Sequence, residues 1–373
     1  MKAAVLHNTG DPFQIEEVDL LPPEPGEVRV RLAAAGVCHS DWHMVTGHLS
    51  RPFPVVLGHE GAGIVEEVGR EVRSVRPGDH VILNWSPSCD RCFYCSRQQH
   101  NLCETFVEGR RGGTMRDGTT RLRLNGEIVH QFSTVSTFAE YTIAPEESCI
   151  VIADDIPLDV ASLLSCAVTT GVGAALNTVH MRPGDSAVVF GCGGVGLNVL
   201  QGARLSGAYP IIAVDTAQAK MDIARQFGAT HTVLSQSDNG EEVLQQIRAL
   251  TAGRGADFAF EAIGVPSVQE QAFKAIRPGG ALVVVGVAPR GSHTRYEGLD
   301  LHVREKRIYG SLYGSCNTRR EFPRLLELYR SGQLLLDELI SGRYALGQIN
   351  EAYADLLNGD ARRGIIVFDG DSH

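Results

Sequence analysis

The 373-residue sequence contains neither a long apolar run nor a surplus of basic residues. Its longest apolar stretches, such as ALVVVGVAP from Ala281, are far shorter than the ~20 residues that a membrane-spanning helix needs. Acidic residues occur near the start before any sustained apolar segment, so no secretory leader is predicted. The net charge of −10, without a basic stripe, argues against a nucleic-acid partner. We therefore expect a cytoplasmic protein that binds neither membranes nor nucleic acids.

The chain also lacks internal repeats and low-complexity segments, and its composition is that of a globular enzyme. About two domains are expected at this length. Short β-type runs with Gly and Pro turns fill residues 1 to 153, whereas nearly continuous apolar runs alternate with helical stretches after Thr170. This pattern predicts an α/β fold with a mostly β domain at 1–167, completed by 313–373, and a doubly wound domain at 168–312.

The segment FGCGGVG places three glycines in a G-x-G-x-x-G pattern directly after a predicted strand and at the start of a predicted helix. The first glycine permits a tight turn, the second lets a pyrophosphate approach the backbone, and the third allows close packing of helix and strand. Asp215 ends the next strand, about 20 residues on, where a carboxylate binds a ribose 2′-hydroxyl and repels a 2′-phosphate. The pattern therefore predicts binding of NAD rather than NADP. The loop positions of this site are Gly191, Gly193, Gly194, Val195 and Gly196.

Four of the nine cysteines, Cys89, Cys92, Cys95 and Cys103, lie in one short loop. Disulfides, an iron–sulfur cluster, a structural metal and a catalytic metal are all conceivable there. In a reducing compartment, clustered cysteines are more often metal ligands or redox groups than disulfides. The long gap before the fourth cysteine and the absence of a proline after it argue against an iron–sulfur cluster. Four thiolates without an open position predict a closed, structural zinc site.

Further cysteines and histidines occur in AAGVCHSDWH, VLGHEGAGIV and LLSCAVTTGVG, which contain Cys38, His59 and Cys166. Taken singly, each has an ordinary explanation. The two cysteines lie in apolar surroundings that are typical of buried thiols, and the histidine could be a loop residue. The residues alone leave a metal site and ordinary packing both open.

The order and separation of GHEGAGIVEEVG, RPGDHVI, the four-cysteine loop and VFGCGGVG resemble those of the zinc-dependent medium-chain alcohol dehydrogenases over essentially the whole chain. Within that family, the class III-like and mycothiol-dependent formaldehyde dehydrogenases are the most similar branch. The resemblance implies a GroES-like catalytic domain and a Rossmann dinucleotide-binding domain. It also implies two Zn²⁺ per subunit, with a catalytic zinc held by Cys38, His59 and Cys166, the Cys2His set that is general knowledge for alcohol dehydrogenases.

The same resemblance implies roles for residues around the catalytic zinc. Asp41 would orient His59, and Glu60 would act as a transient metal ligand or tune the field of the metal. Ser40 would pass the proton of the alcohol through the cofactor ribose to His43. Other positions that match cofactor contacts are His39, Thr170, Lys220, Val287 and Arg363. The positions that match the apolar lining of the substrate cleft are Trp85, Phe132, Val287 and Leu312.

The implied reaction is NAD-linked oxidation of aromatic or aliphatic primary alcohols to aldehydes, and its reverse. The alcohol would lose its proton at the zinc as an alkoxide and transfer a hydride to nicotinamide. One alternative is a thiol-adduct formaldehyde dehydrogenase of the mycothiol type. A glutathione adduct is disfavoured, because the short loop at 47–54 lacks the acidic residue of the glutathione-dependent class. A non-catalytic nucleotide-binding protein is the third possibility, but such proteins typically lack the metal ligands.

Two further features bear on substrate and assembly. Arg110 and Arg111 fit either an anionic substrate or a solvated turn, and the turn is the preferred interpretation. The long segment between Cys103 and Phe138 resembles that of dimeric family members. A homodimer is therefore expected, with a tetramer as the alternative, acting on a small alcohol or aldehyde.

Overall fold

A computed structural model describes residues 1–49, 51–236, 240–359 and 363–368. The chain forms two compact units. The first contains Met1–Cys166, Asn317–Arg330 and Leu336–His373, and the second contains Ala167–Cys316 and Ser331–Leu335. The domain limits inferred from the sequence stay a prediction, and the end of the last expected segment, 369–373, lies outside the described residues.

Nineteen strands are described, and β12 to β17 belong to the second unit. In chain order they are β1 (Lys2–Leu6), β2 (Gln14–Glu17), β3 (Asp19–Leu20), β4 (Glu27–Gly36), β5 (Val55–Val56), β6 (Gly61–Val68), β7 (His80–Leu83), β8 (Leu122–Leu124), β9 (Glu127–Gln131), β10 (Tyr141–Pro145), β11 (Cys149–Ile152), β12 (Ala187–Phe190), β13 (Ile211–Asp215), β14 (His231–Leu234), β15 (Ala256–Glu261), β16 (Ile276–Val284), β17 (Arg307–Gly310), β18 (Gly342–Ala345) and β19 (Gly364–Val367).

The longer α-helices, α5 to α8, α10 and α11, lie in the second unit or near the carboxyl end of the chain. In chain order they are α1 (His39–Val45), α2 (Val107–Gly112), α3 (Leu158–Ser162), α4 (Ala167–Gly173), α5 (Gly194–Leu205), α6 (Gln218–Gln226), α7 (Glu241–Leu250), α8 (Pro266–Ala275), α9 (Gly298–Val303), α10 (Thr318–Arg330) and α11 (Ile349–Asn358). Within the described part of the chain, no single helix is long and apolar enough to span a membrane. Among the same described residues, one bent helix pair, Leu158–Ser165 with Ala167–Thr178, meets that length and composition test.

The first unit is mostly β, as the short β-type runs predict. One sheet has the strand order β2-β1-β5-β9-β8-β3, and the other has the order β11-β7-β6-β4-β19-β18. Strand β4 organises the second sheet, since β6 pairs along one edge while β10 and β19 pair with successive parts of the other. Its sequence alternates buried Val28, Val30 and Leu32 with half-buried arginines, which is the two-residue period of a strand with one face in the core. The carboxyl end of this central strand leads directly into α1.

An aromatic cluster attaches α11 to the start of α1. The ring of Tyr353, 1% exposed, stacks on Phe13 at 5.3 Å and on Trp42 at 5.4 Å between ring centroids. Its hydroxyl donates to the carbonyl oxygen of Cys38 at 3.5 Å. Burial of an aromatic side chain stabilises the fold mainly through removal of apolar surface from water. The cluster therefore fixes the main chain at the point where the sequence predicts a metal ligand.

The second unit is a doubly wound α/β domain. Its strands are all parallel and follow the order β14-β13-β12-β15-β16-β17. The near-continuous apolar runs of these strands are explained by helices that cover the sheet, which leave strands such as β12 and β13 entirely buried. The chain order reverses at β12, and ligands of open α/β sheets bind at the carboxyl ends of strands at such a switch point. The glycine loop follows β12 directly.

Candidate metal centres and dinucleotide site

Three residues far apart in the sequence converge in the first unit. Cys38 occupies the turn between β4 and α1, His59 immediately precedes Glu60 and β6, and Cys166 follows the 3-10 turn at Leu163–Ser165. All are buried. The candidate ligand atoms of Cys38, His59, Glu60 and Cys166 lie within 4.8 Å of one another. The chain thus gathers two thiols, one imidazole and one carboxylate at a single point.

A buried carboxylate orients the imidazole. Asp41 is 0% exposed, and its Oδ1 accepts the N–H of Gly58 at 2.9 Å. The Nδ1 of His59 lies 3.1 Å from Oδ1 and 3.0 Å from Oδ2 of the same carboxylate. Gly58 has φ +86°, and a Cβ there would approach Thr137 Oγ1 to 2.5 Å, so this close approach requires glycine. Since Nδ1 donates to Asp41, the lone pair of the neutral imidazole is on Nε2.

The free imidazole nitrogen and the two thiols fit a catalytic zinc. His59 Nε2 is buried and has no hydrogen-bond partner among the described residues. A buried polar atom without a partner is costly, unless it binds an ion. Two cysteines and one histidine are zinc ligands, and three protein ligands leave one position open for a reacting group. The donor set therefore fits Zn²⁺ in a site of the catalytic type.

Glu60 lies beside this donor set in a buried ion pair. It is 0% exposed, and its Oε1 lies 4.0 Å from His59 Nε2. The guanidinium Nη2 of Arg363 donates to Oε1 of Glu60. Although burial acts in the opposite direction, the Glu60 carboxylate helps raise the pKa of Arg363 above its ordinary value. Arg363, which matches a cofactor-contacting position, is thus held against Glu60 in this structure.

Aromatic rings and the first helix complete the surroundings. Trp85 and Phe132 face the His59 ring edge-on, with centroids 6.2 Å and 5.7 Å away. The thiol of Cys38 donates to Ser40 Oγ at 3.6 Å. His39 is exposed at the first position of α1, and His43 is half-buried one turn later. The structure thus brings both predicted pocket aromatics and the predicted relay residues of α1 to the region of the first metal centre.

The four-cysteine loop forms a second donor cluster. The Sγ atoms of its cysteines lie within 4.8 Å of one another, and Cys92 Sγ is 3.9 Å from Cys103 Sγ. All nine cysteines are free thiols, so the disulfide alternative is not adopted. The loop has its own small core, which consists of Phe106 and the four cysteines. Four thiols that converge in so small a core fit a closed tetrahedral zinc that holds the loop together.

The glycine loop has the geometry of a dinucleotide site. Gly191 has φ +94°, and a Cβ on Gly196 would lie 1.7 Å from Gly191 O, so the turn and the close packing both require glycine. A Cβ on Gly193 would meet nothing within 4 Å, which leaves open space in front of α5. Gly193 caps α5 without a side-chain hydrogen bond, so the first N–H groups of the helix are available to an anion. This cradle fits a pyrophosphate.

Asp215 closes the loop from the end of β13. Its Oδ2 accepts the N–H of Cys192 at 2.8 Å, and its Oδ1 accepts those of Thr216 at 2.8 Å and Ala217 at 3.1 Å. Lys220 Nζ lies 3.7 Å from Oδ2. The carboxylate therefore shapes the loop and places a negative charge where the ribose of a bound dinucleotide is expected.

For the remaining predicted residues of the second unit, the structure gives positions and exposed fractions. Thr170 lies in α4 and is 9% exposed. Val287 packs its backbone against Gly264 and is 48% exposed, while Leu312 is 45% exposed.

Two residues near the first metal centre differ from expectation or were missed. Arg110, for which a solvated turn was preferred, lies in α2 with its guanidinium 5.7 Å from the Trp85 ring centroid and donates to Ser86 Oγ at 2.8 Å. Its Nε is buried without a partner in the described part of the chain. His48 places Nδ1 3.3 Å from His43 Nδ1. No motif flagged His48, although a histidine one turn after the predicted relay was the available signal.

Comparison with known proteins identifies the family. A family model of the alcohol dehydrogenase GroES-like domain matches residues 24–154, and one of zinc-binding dehydrogenases matches residues 194–331. The expected GroES-like and Rossmann architecture is therefore confirmed. Together with relatives that align over nearly the whole chain, these matches show that the chain belongs to the zinc-dependent medium-chain alcohol dehydrogenase family. It is an oxidoreductase.

Three similar proteins illustrate the range of that family. The chain is 40% identical over 373 residues to the NDMA-dependent alcohol dehydrogenase of Amycolatopsis methanolica, with 99% of each chain covered. It is 40% identical over 374 residues to the S-(hydroxymethyl)glutathione dehydrogenase of Saccharomyces cerevisiae, covering 98% of this chain and 96% of the relative. The crystal structure of benzyl alcohol dehydrogenase from Acinetobacter calcoaceticus has a TM-score of 0.93 at 32% identity, with 99% of each chain covered.

Serine substitutions test the division between the two metal centres. Cys103→Ser removes one of four ligands and part of the small core of the loop, so we expect loss of about one zinc and a lower unfolding temperature. Cys38→Ser should also weaken zinc binding but should leave the unfolding temperature close to that of the parent and abolish turnover. Zinc per chain by mass spectrometry, thermal unfolding and activity are the measurements.

The matched control is Cys149→Ser, because Cys149 is buried but belongs to neither cluster. It should retain the zinc content of the parent protein. Equal losses of stability in Cys38→Ser and Cys103→Ser would contradict the division into a chemical and a structural site.

Proposed function

We propose that the protein oxidises primary alcohols, aromatic or aliphatic, to aldehydes with zinc and NAD, and catalyses the reverse reaction. The observation that carries this proposal is the buried Nε2 of His59, which has no hydrogen-bond partner among the described residues and lies beside the thiols of Cys38 and Cys166. Asp41 binds the other ring nitrogen, Nδ1, and thereby orients Nε2 as a metal ligand.

Cys38, His59 and Cys166 would hold the catalytic zinc, and Cys89, Cys92, Cys95 and Cys103 would hold the structural one. A zinc with an open position acts as a Lewis acid that lowers the pKa of an alcohol hydroxyl. Glu60 lies within reach of the first site, and its bond to Arg363 keeps the carboxylate to one side. Movement of this carboxylate toward the metal is the proposed role of Glu60.

The second unit would hold NAD, which supplies the hydride acceptor. The N–H groups at the start of α5 bind the pyrophosphate, with close approach at Gly193, and Asp215 disfavours a 2′-phosphate. Further proposed contacts follow the family pattern. In the second unit they are Thr170, Gly191, Gly194, Val195, Gly196, Lys220 and Val287. The cofactor roles that the family resemblance implies for His39 and Arg363 stay predictions.

Ser40 and His43 would remove the proton that the alcohol loses. Ser40 Oγ lies 3.6 Å from Cys38 Sγ, so a hydroxyl is present beside the first metal centre. Positions three apart on a helix share one side, which places His43 on the side of α1 that carries Ser40. Burial lowers the pKa of His43, and the charges of His48 and His39 act in the same direction. His43 is therefore neutral near pH 7 and can take up a proton.

The pocket around the first metal centre would favour apolar alcohols. Trp85 and Phe132 present ring edges and faces next to His59, and neither offers a carboxylate or amide to a polyol. Leu312 and Val287, which match family positions of the substrate lining, belong to the second unit, and their role stays a prediction. Aromatic and medium aliphatic primary alcohols suit such surroundings.

A second candidate function is oxidation of a hydroxymethyl thiol adduct of formaldehyde. The observation in its favour is Arg110, whose half-buried guanidinium lies over Trp85 and has no carboxylate partner among the described residues. A relative that is 40% identical is an S-(hydroxymethyl)glutathione dehydrogenase. A cation beside the pocket aromatic would bind an anionic group of a thiol cofactor.

A substrate panel separates the two candidates. We expect benzyl alcohol to reduce NAD without any added thiol, and NADP to be used roughly tenfold or more less efficiently because Asp215 repels the 2′-phosphate. The measurement is NADH formation with benzyl alcohol, and with formaldehyde in the presence of glutathione, of mycothiol, or of neither.

Turnover of formaldehyde only with a thiol would favour the second candidate. Absence of activity in every arm, in protein that contains zinc, would contradict both.

We also propose a homodimer that forms through the edge of the parallel sheet. Strand β17 is the last strand of its sheet, and all four of its residues are exposed. Ile308 and Tyr309 are 37% and 39% exposed, and Leu299 and Val303 of α9, which precedes the strand, are each 66% exposed. An open edge with apolar side chains is a pairing surface, and a two-fold axis makes it self-complementary. A cytoplasmic location and a small-molecule partner stay predictions from the composition and the family.

A charged side chain introduced into strand β17 tests the proposed dimer. Ile308→Lys should reduce the molar mass measured by light scattering from that of a dimer to that of a monomer, since burial of an unpaired ammonium is unfavourable. Leu357→Lys in α11 is the control, because Leu357 is similarly exposed at 45% but lies in the other unit. A monomeric parent protein, or an Ile308→Lys variant of unchanged mass, would rule out this interface.

A further inference from the structure

A second imidazole lies against the predicted relay histidine. The Nδ1 atoms of His43 and His48 are 3.3 Å apart, and the ring centroids are 5.5 Å apart with planes tilted by 42°. Two imidazole nitrogens at that distance form a hydrogen bond only when one of them carries the proton. The pair therefore shares one proton between two titratable rings.

The main chain creates this contact. The turn after α1 passes through Gly47 at φ +76°, and the N–H of Leu49 donates to His43 O at 2.9 Å. This bond folds the segment that carries His48 back over His43. A Cβ on Gly47 would approach Thr9 Cγ2 to 2.9 Å, so the turn has little room for another residue. The contact is consequently a product of the backbone rather than of two freely moving surface side chains.

Solvent exposure increases from Cys38 through His43 to His48. Cys38 is buried, Ser40 and His43 are half-buried, and His48 is exposed. A proton that reaches His43 is therefore one hydrogen bond away from a ring in contact with water.

We propose that His48 is the outer member of a two-histidine relay, which receives the proton of the substrate alcohol from His43 and releases it to water. The proposal rests on the proposed alcohol oxidation. His48 acts through His43 and is thus a positioning and relay residue rather than a catalytic one.

The transfer balances without any further reactant. His43 starts with its proton on Nδ1, and His48 starts with its proton on Nε2. His43 gains a proton at Nε2 and releases its Nδ1 proton. The released proton binds to Nδ1 of His48. His48 then loses its Nε2 proton to water. Exchange with water restores the starting tautomers, and aldehyde reduction runs the same steps in reverse.

The surrounding charges support a single shared proton. Burial lowers the pKa of His43, and the charges of His48 and then His39 lower it further. Cys38 and Asp41 act in the opposite direction. Protonation of both rings together is therefore disfavoured, as in other closely coupled pairs.

The test compares His48→Gln with His293→Gln. Glutamine keeps a polar side chain but does not titrate, and His293 is an exposed loop histidine of the second unit that serves as the control. The first readout needs no cofactor and no turnover. In NMR titrations of histidine-labelled protein, His48→Gln should move the pKa of His43 upward, because the charge of His48 no longer opposes its protonation.

The second readout is the pH and buffer dependence of kcat. Since His43 must be neutral to take up a proton, the acidic limb of the profile should move to higher pH in His48→Gln. In dilute buffer, kcat should fall roughly tenfold, and added imidazole should restore it by replacing the missing ring. His293→Gln should match the parent protein in both readouts.

Each outcome decides the proposal. An unchanged titration of His43, a moved titration with unchanged buffer dependence, or a loss of kcat that imidazole does not restore would each overturn the relay. A parent protein that is inactive with alcohols would instead contradict the proposed function, whereas an active parent with an unaltered His48→Gln variant would contradict the relay alone.

Discussion

The buried bond between Asp41 and His59 is the constraint on which the site depends. A carboxylate at 0% exposure is costly to bury unless it accepts hydrogen bonds, and here Oδ1 of Asp41 accepts one from the N–H of Gly58 and one from Nδ1 of His59. The bond fixes the imidazole so that Nε2 is available to a metal. It also ties the first turn of α1 to the segment before β6, and thereby brings Cys38 to His59. The proposed chemistry, the proton path and the pocket all depend on the orientation of the His59 ring.

The residues of the two cysteine-containing centres are held in place by different interactions. The four-cysteine loop has almost no core beyond its own sulfur atoms and Phe106, so a metal there would supply the cohesion that the loop lacks. The other centre is surrounded by packed strands and by the aromatic cluster around Tyr353, which hold its residues in place by ordinary burial. A metal at that centre is consequently free to keep an open position for reaction. Stability and chemistry are thus assigned to different cysteines.

The geometry of the glycine loop was predictable from the sequence, because its residues are close together along the chain. The glycine pattern and Asp215 are close in sequence, and a strand, a turn and a helix necessarily place them together, so the loop geometry follows from the motif. Cys38, His59 and Cys166 come from three separate connections, and their convergence depends on sheet pairing that no local pattern encodes. Only the family resemblance brought them together. His48 was not singled out, and Arg110 was assigned to a solvated turn, because the contacts of these residues form only in the folded chain: His48 lies against His43, and Arg110 lies against Trp85.

Zinc K-edge X-ray absorption of the purified protein tests the central claim most directly, because it reports the atoms bound to the metal without relying on activity. One site with four sulfurs and one with two sulfurs, a nitrogen and an open position give an average of about three sulfur ligands per zinc, with a distinct imidazole contribution. That average is the predicted result. A spectrum of about four sulfurs without imidazole, or one dominated by oxygen and nitrogen, would contradict the claim that His59, oriented by Asp41, completes a second zinc site with Cys38 and Cys166.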